Sequence, residues 1–152
     1  MMFKMYLDSI KWDGEDAPCM LIFSNAKDGR KLNVEIPEPI GFDLRTLLNQ
    51  RLEGIEPYFG ITEILYQTGI KIEKLIIRNS QKPGTAAMIL DVCGKIVETE
   101  LFFADVVSIA IVENMPIYFD ESVCRKNEIP LDKRLLFTRT SNVTKYSFDT
   151  DK

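Results

Sequence analysis

The sequence predicts an α+β domain built from antiparallel or mixed β-sheet meanders with three to four helices. Two stretches, around residues 3–36 and 70–101, alternate polar with apolar residues, the pattern of strands with one buried face. Glycine-containing dipeptides of the kind that turn a hairpin break both stretches, and apolar residues at helical spacing follow the first. A chain of 152 residues with 45% hydrophobic content can bury roughly 70% of its unfolded surface around one core, so a single domain is expected. We expect it to span residues 1–126, with residues 127–152 forming a polar, Ser/Thr-rich C-terminal extension that is extended or partly ordered.

Along the chain, Phe3, Met5 and Leu7 share one face and Lys4, Tyr6 and Asp8 the other. After a turn at Asp13-Gly14-Glu15-Asp16, strands are expected at Pro18–Phe23 and Arg30–Ile36, joined through Asp28-Gly29. Pro37 and Pro39 stop that strand. Leu44, Leu47, Leu48 and Leu52 then lie on one helical face, with Asp43 as the expected N-cap and Gly54 as the C-cap. Ile61, Ile64 and Leu65 predict a second helix closed at Gly69. Alternation returns at 70–77, after Pro83-Gly84 at 85–92, and after Cys93-Gly94 at 95–101. Residues 106–112 carry two opposed signals: β-branched side chains favour a strand, whereas Asp105 before them and Asn114 and Pro116 after them favour a buried helix. Ile117-Tyr118-Phe119 predicts a short last strand and residues 121–126 a helical turn.

Composition excludes several chemistries. The chain has no histidine, which removes the commonest general base and metal ligand and every Ser/His or Cys/His nucleophile pair. Cys19, Cys93 and Cys124 are far apart and lack CxxC spacing, as expected of reduced structural thiols rather than a zinc site or a disulfide framework. No phosphate-cradling glycine loop is present. The net charge of −4 gives no general attraction for nucleic acid, so any contact with phosphate needs a local basic patch. The opening residues lack a continuous apolar region, and no stretch approaches the ~20 apolar residues that cross a bilayer. A cytoplasmic protein without membrane contact is expected.

The run Val97-Glu98-Thr99-Glu100-Leu101-Phe102-Phe103-Ala104-Asp105, an apolar segment, and then Asn114-Met115-Pro116-Ile117-Tyr118-Phe119 resemble the centre of the bifunctional nuclease (BFN) domain family. There an acidic strand leads into an Arg-Pro-Ser-Asp-Ala motif, an apolar helix and a Gly-Ala-Pro-Ile strand. Glu98 and Glu100 match the acidic strand, Asp105 the motif aspartate, and Pro116-Ile117 the Pro-Ile. Weaker similarity runs from Phe3 to about Pro130. The resemblance implies a helix over residues 106–112, a homo-oligomer, and metal-assisted cleavage of RNA or DNA. The departures concern polar groups: the motif's arginine, proline and serine are Phe102, Phe103 and Ala104 here. A Thr-His-Asp of the family falls near Pro57-Tyr58-Phe59, and an acidic residue of its first helix falls at Ile40.

Glu98 and Glu100, two apart on a strand, share a face, and Asp105 follows closely in sequence. Together they are the candidate catalytic residues and ligands for Mg²⁺ or Mn²⁺, an ion that would lower the pKa of a bound water for attack on a phosphodiester. The competing expectation is a solvated strand face plus a helix N-cap. Lys74, Arg78 and Lys82, with Lys71 nearby, are candidate phosphate contacts, or serve solubility. Phe102, Phe103, Tyr58 and Phe59 would stack on bases or fill core and interface positions. Two functions follow: a nuclease, or a non-catalytic oligomeric binding and assembly module on the same scaffold.

Overall fold

The computed structural model describes residues 2–12, 14, 18–78, 85–124, 136–139 and 142–148. Their elements are strands β1 (Met2–Trp12), β2 (Cys19–Asn25) and β3 (Lys31–Ile36), helices α1 (Glu38–Leu52) and α2 (Gly60–Gln67), and strands β4 (Lys71–Ile77), β5 (Thr85–Val92) and β6 (Lys95–Phe102). Helix α3 (Phe103–Glu113), β7 (Ile117–Asp120), α4 (Glu121–Cys124), β8 (Leu136–Arg139) and β9 (Asn142–Phe148) complete the order. The architecture is α+β, as the alternation predicts.

One sheet contains the described strands in the order β6-β5-β4-β7-β1-β2-β3-β9-β8. It is mixed because β4 and β7 run parallel, with Ile76 beside Tyr118 and Ile77 beside Phe119, while the other pairs are antiparallel. Each meander therefore extends outward from β7, and each hands over to a helix, α1 or α3, that returns across the same face. That face is apolar: Met5, Leu21, Phe23, Leu32, Val34, Leu75, Ile77, Met88, Ile117 and Phe119 are buried there beneath Leu44 and Leu48 of α1 and Val106, Val107, Ile109 and Ile111 of α3. Register shifts at Leu7/Ser9 and Ile72/Lys74 change the phase of β1 and β4. The second shift returns Leu75 and Ile77 to the core and sends Lys74 to the outer face.

Local signals set the helix ends. Gly54 (φ 78°) and Gly69 (φ 73°) close α1 and α2 in the left-handed conformation, and Asn114 (φ 54°) does so for α3. Behind each, the next N–H bonds back to the last turn: Ile55 to Gln50, Ile70 to Leu65 and Met115 to Ala110. At the end of α3, the Arg51 guanidinium also donates to the carbonyls of Ile111 and Val112. This cation satisfies acceptors that the helix leaves open and ties α1 to α3 at the negative end of its dipole.

Four expectations need correction or completion. Helix α1 begins at Glu38 after Pro37, not at Asp43, because proline in a first turn forgoes only an N–H that the helix does not use. Residues 106–112 are helical: Val106 through Ile111 are all buried between the sheet and the other helices, so packing outweighs their β propensity. Asp105 is not the N-cap; it lies in the first turn, and Phe102 occupies the cap position. The polar extension supplies β8 and β9, and β9 joins β3 with Leu32 beside Phe148 and Val34 beside Tyr146. It belongs to the same sheet. Lys82, Pro83-Gly84 and most of the Asp13-to-Asp16 turn lie outside the described residues. Among the described residues, no helix is long and apolar enough to cross a membrane.

Helix α1 approaches the sheet closely at Gly41, where an added Cβ would overlap the Cβ and Sγ of Cys19 on β2. Those atoms are fixed to buried backbone, so the helix would have to move. Gly41→Ala is expected to destabilise the fold by about 1–3 kcal/mol in urea denaturation. Gly60→Ala, where nothing lies within 4 Å of the added atom, should stay within about 0.5 kcal/mol.

Burial pushes the Cys19 thiol above its ordinary pKa, Glu38 adds to the rise, and Arg45 opposes it. The folded state thus holds this proton more tightly than the unfolded chain. Its contribution is fully present below the ordinary thiol value of about 8.5 and is lost as pH rises through the folded value. Stability is expected to fall as pH rises from the ordinary thiol value through the folded one, and less so in Cys19→Ala. Site-resolved alkylation at pH 7.5 should label exposed Cys93 at once and buried Cys19 only after denaturant is added.

Candidate functional site

The residues singled out by sequence divide between two surfaces, and the register of β6 divides them. Val97, Thr99 and Leu101 pair with Leu90, Met88 and Ala86, whose side chains belong to the core. Glu98 and Glu100 pair with Ile89 and Ala87 and therefore project from the opposite, outer face. Both are exposed. Arg78, at the end of β4, donates to Glu98 Oε1 at 2.9 Å, so the pair bridges across β5. On the same face, the Lys74 ammonium stands 4.1 Å from the centre of the Tyr118 ring, within cation–π range. The structure thus brings Lys74 and Arg78 to the face of Glu98 and Glu100, and engages both cations in local contacts.

Asp105 lies elsewhere. It lines a groove of about 540 Å³ on the helical side of the sheet, between α1, the loop before α2, and the first turns of α3. A carboxylate in a first helical turn is favoured by the helix dipole. Ile40, Phe42, Leu44, Leu47, Tyr58, Phe59 and Ala104 form its apolar lining, and Asp43, Thr46, Gln50, Asp105 and Ser108 its polar positions. No lysine or arginine is among them. Thr46 Oγ1 donates to the Phe42 carbonyl at 3.0 Å and Ser108 Oγ to the Ala104 carbonyl at 2.9 Å, so both hydroxyl protons are spent within their own helices. Tyr58 and Phe42 are 71% and 61% exposed at the rim. Isolated apolar residues on a surface are ordinary, but aromatic side chains gathered on a groove of this volume form a surface able to receive a partner.

The three proposed carboxylate ligands are therefore not gathered at one point in this chain. Among the described residues, no three His, Cys, Asp or Glu side chains are placed to hold a metal ion. Conversely, the groove collects Ile40, Tyr58, Phe59 and Ala104. Sequence reasoning missed Phe42, Asp43, Thr46 and Gln50 as groove residues. One signal was present: Phe42 lies off the Leu44, Leu47, Leu48, Leu52 stripe, so an aromatic ring had to leave the core. Compared with known proteins, the chain is matched by no family model and by no curated protein.

Proposed function

We propose that this chain is a non-catalytic binding and assembly module that docks a second copy of itself on the groove between α1 and α3. One observation carries the reading. The groove is lined by Ile40, Phe42, Leu47, Tyr58, Phe59 and Ala104, no lysine or arginine is among its lining residues, and the Thr46 and Ser108 hydroxyl protons are already donated within their own helices. Such a lining attracts apolar and aromatic side chains and repels a phosphodiester. The resemblance supports the same reading, since it implies a homo-oligomeric scaffold whose polar positions are apolar here. A cytoplasmic location belongs with it, because the free thiols of Cys19 and Cys93 persist under reducing conditions.

The alternative, hydrolysis of RNA or DNA assisted by Mg²⁺ or Mn²⁺, requires Glu98, Glu100 and Asp105 to act together across a sheet that separates them. Sedimentation velocity over a concentration series tests the assembly. The pure chain is expected to run as a dimer or larger, and Phe42→Ser combined with Tyr58→Ser to weaken association about tenfold or more while leaving the circular dichroism unchanged. Single- and double-stranded RNA and DNA incubated with the protein and either metal should remain intact. A chain that is monomeric throughout, or cleavage abolished by Glu100→Gln or Asp105→Asn, would overturn the proposal.

A further inference from the structure

We infer that the outer edge of β6 binds an extended, basic peptide segment as an added strand. Among the described strands, β6 is the terminal one of the sheet and pairs with β5 alone. It is eight residues long, and six of the eight, including Lys95 through Glu98, are exposed. Alternate backbone N–H and C=O groups along such an edge point away from the sheet and form a ready template for another strand. The outer-face side chains are, in order, Ile96 (62% exposed), Glu98, Glu100 and Phe102 (43% exposed). An acidic pair between two exposed apolar residues matches a strand of pattern apolar–x–basic–x–basic–x–apolar, because directly opposed cross-strand pairs of opposite charge are stabilising. Arg78 on Glu98 leaves that pair with a net negative charge.

A second copy of the chain does not fit this edge. Two β6 strands related by a two-fold axis must oppose residues of the same face. The two registers that overlap most are centred on Glu98 and on Thr99. The first sets Glu98 against Glu98, and the second sets Glu98 against Glu100 twice. Like charges directly opposed are destabilising, so the glutamates that bar self-pairing also select a basic partner.

The probe is a synthetic nine-residue peptide with valines at its second and eighth positions, lysines at its fourth and sixth, and threonines elsewhere. Hydrogen exchange read by mass spectrometry on the full chain should show new protection confined to residues 95–102, and fluorescence anisotropy should show saturable binding. Glu98→Lys combined with Glu100→Lys is expected to weaken binding about tenfold. Peptides N-methylated on alternate residues separate strand pairing from charge attraction without altering the protein. Methylation in one phase should abolish binding and in the other should be tolerated, because an added strand uses one edge only. Equal binding by both methylated peptides, protection away from β6, or no binding would each overturn the inference.

Discussion

Alternation along the strands of a single sheet, with one face committed to burial, is the constraint from which the other features follow. The core has Leu21, Phe23, Val34, Ile77 and Phe119 on one face. Phe23 and Phe119 meet edge to face with ring centres 5.3 Å apart. Once that face is committed, a strand residue's neighbour in sequence belongs on the other side. Val97, Thr99 and Leu101 are held toward α3, so Glu98 and Glu100 must point away from it. No rotamer of a glutamate returns it through the sheet to Asp105. Proximity in sequence across a strand-to-helix junction is therefore a poor guide to proximity in space, because the helix takes one side and half of the strand takes the other.

Helix α3 is where the two halves of the molecule are joined. Its buried run from Val106 to Ile111 would be unstable as an exposed helix, and as a strand it would leave one apolar face uncovered. Between the sheet and α1 it is covered on both sides. Arg51 secures that position from α1, since its guanidinium adds charged donors to the part-buried carbonyls of Ile111 and Val112 at the last turn of α3. At the other edge of α1, Gly41 lets the helix backbone approach Cys19 closely. The width of the groove follows from these two anchors: one fixes α1 against α3, the other fixes it against β2, and Phe42, next to Gly41, is left at the mouth.

Much of the fold was legible because its signals are local. The alternation Phe3, Met5, Leu7, the Asp28-Gly29 and Cys93-Gly94 turns, and the closing glycines Gly54 and Gly69 each depend on a few neighbouring residues, and each appears where expected. Helix α3 was half legible: its β-branched residues and its C-terminal Asn114 point in opposite directions, and only the layers around it decide between them. The start of α1 was misplaced because Pro37 and Pro39 stop a strand and also begin a helix. The tail strands were overlooked because β9 is polar by count, although Val143, Thr144, Tyr146 and Phe148 are all good strand formers. The proposed site was the least legible part. A set of carboxylates can be listed from sequence, but which side of a sheet each occupies depends on register, and register is a relation between strands.

The two faces meet different physical demands, which is the reason for treating them as separate surfaces. In the groove, the acidic lining residues are Asp43 and Asp105 among apolar and aromatic side chains, so contact there gains mainly from removing apolar area from water and depends little on salt. On the outer side, Lys74 on Tyr118 and Arg78 on Glu98 are charged contacts in the open, individually weak and screened by ions. A surface of that kind discriminates partners by charge better than it holds them. The backbone edge of β6 adds what the charges lack, a row of directional hydrogen bonds available to any extended chain, and Glu98 and Glu100 then decide which chain can use it.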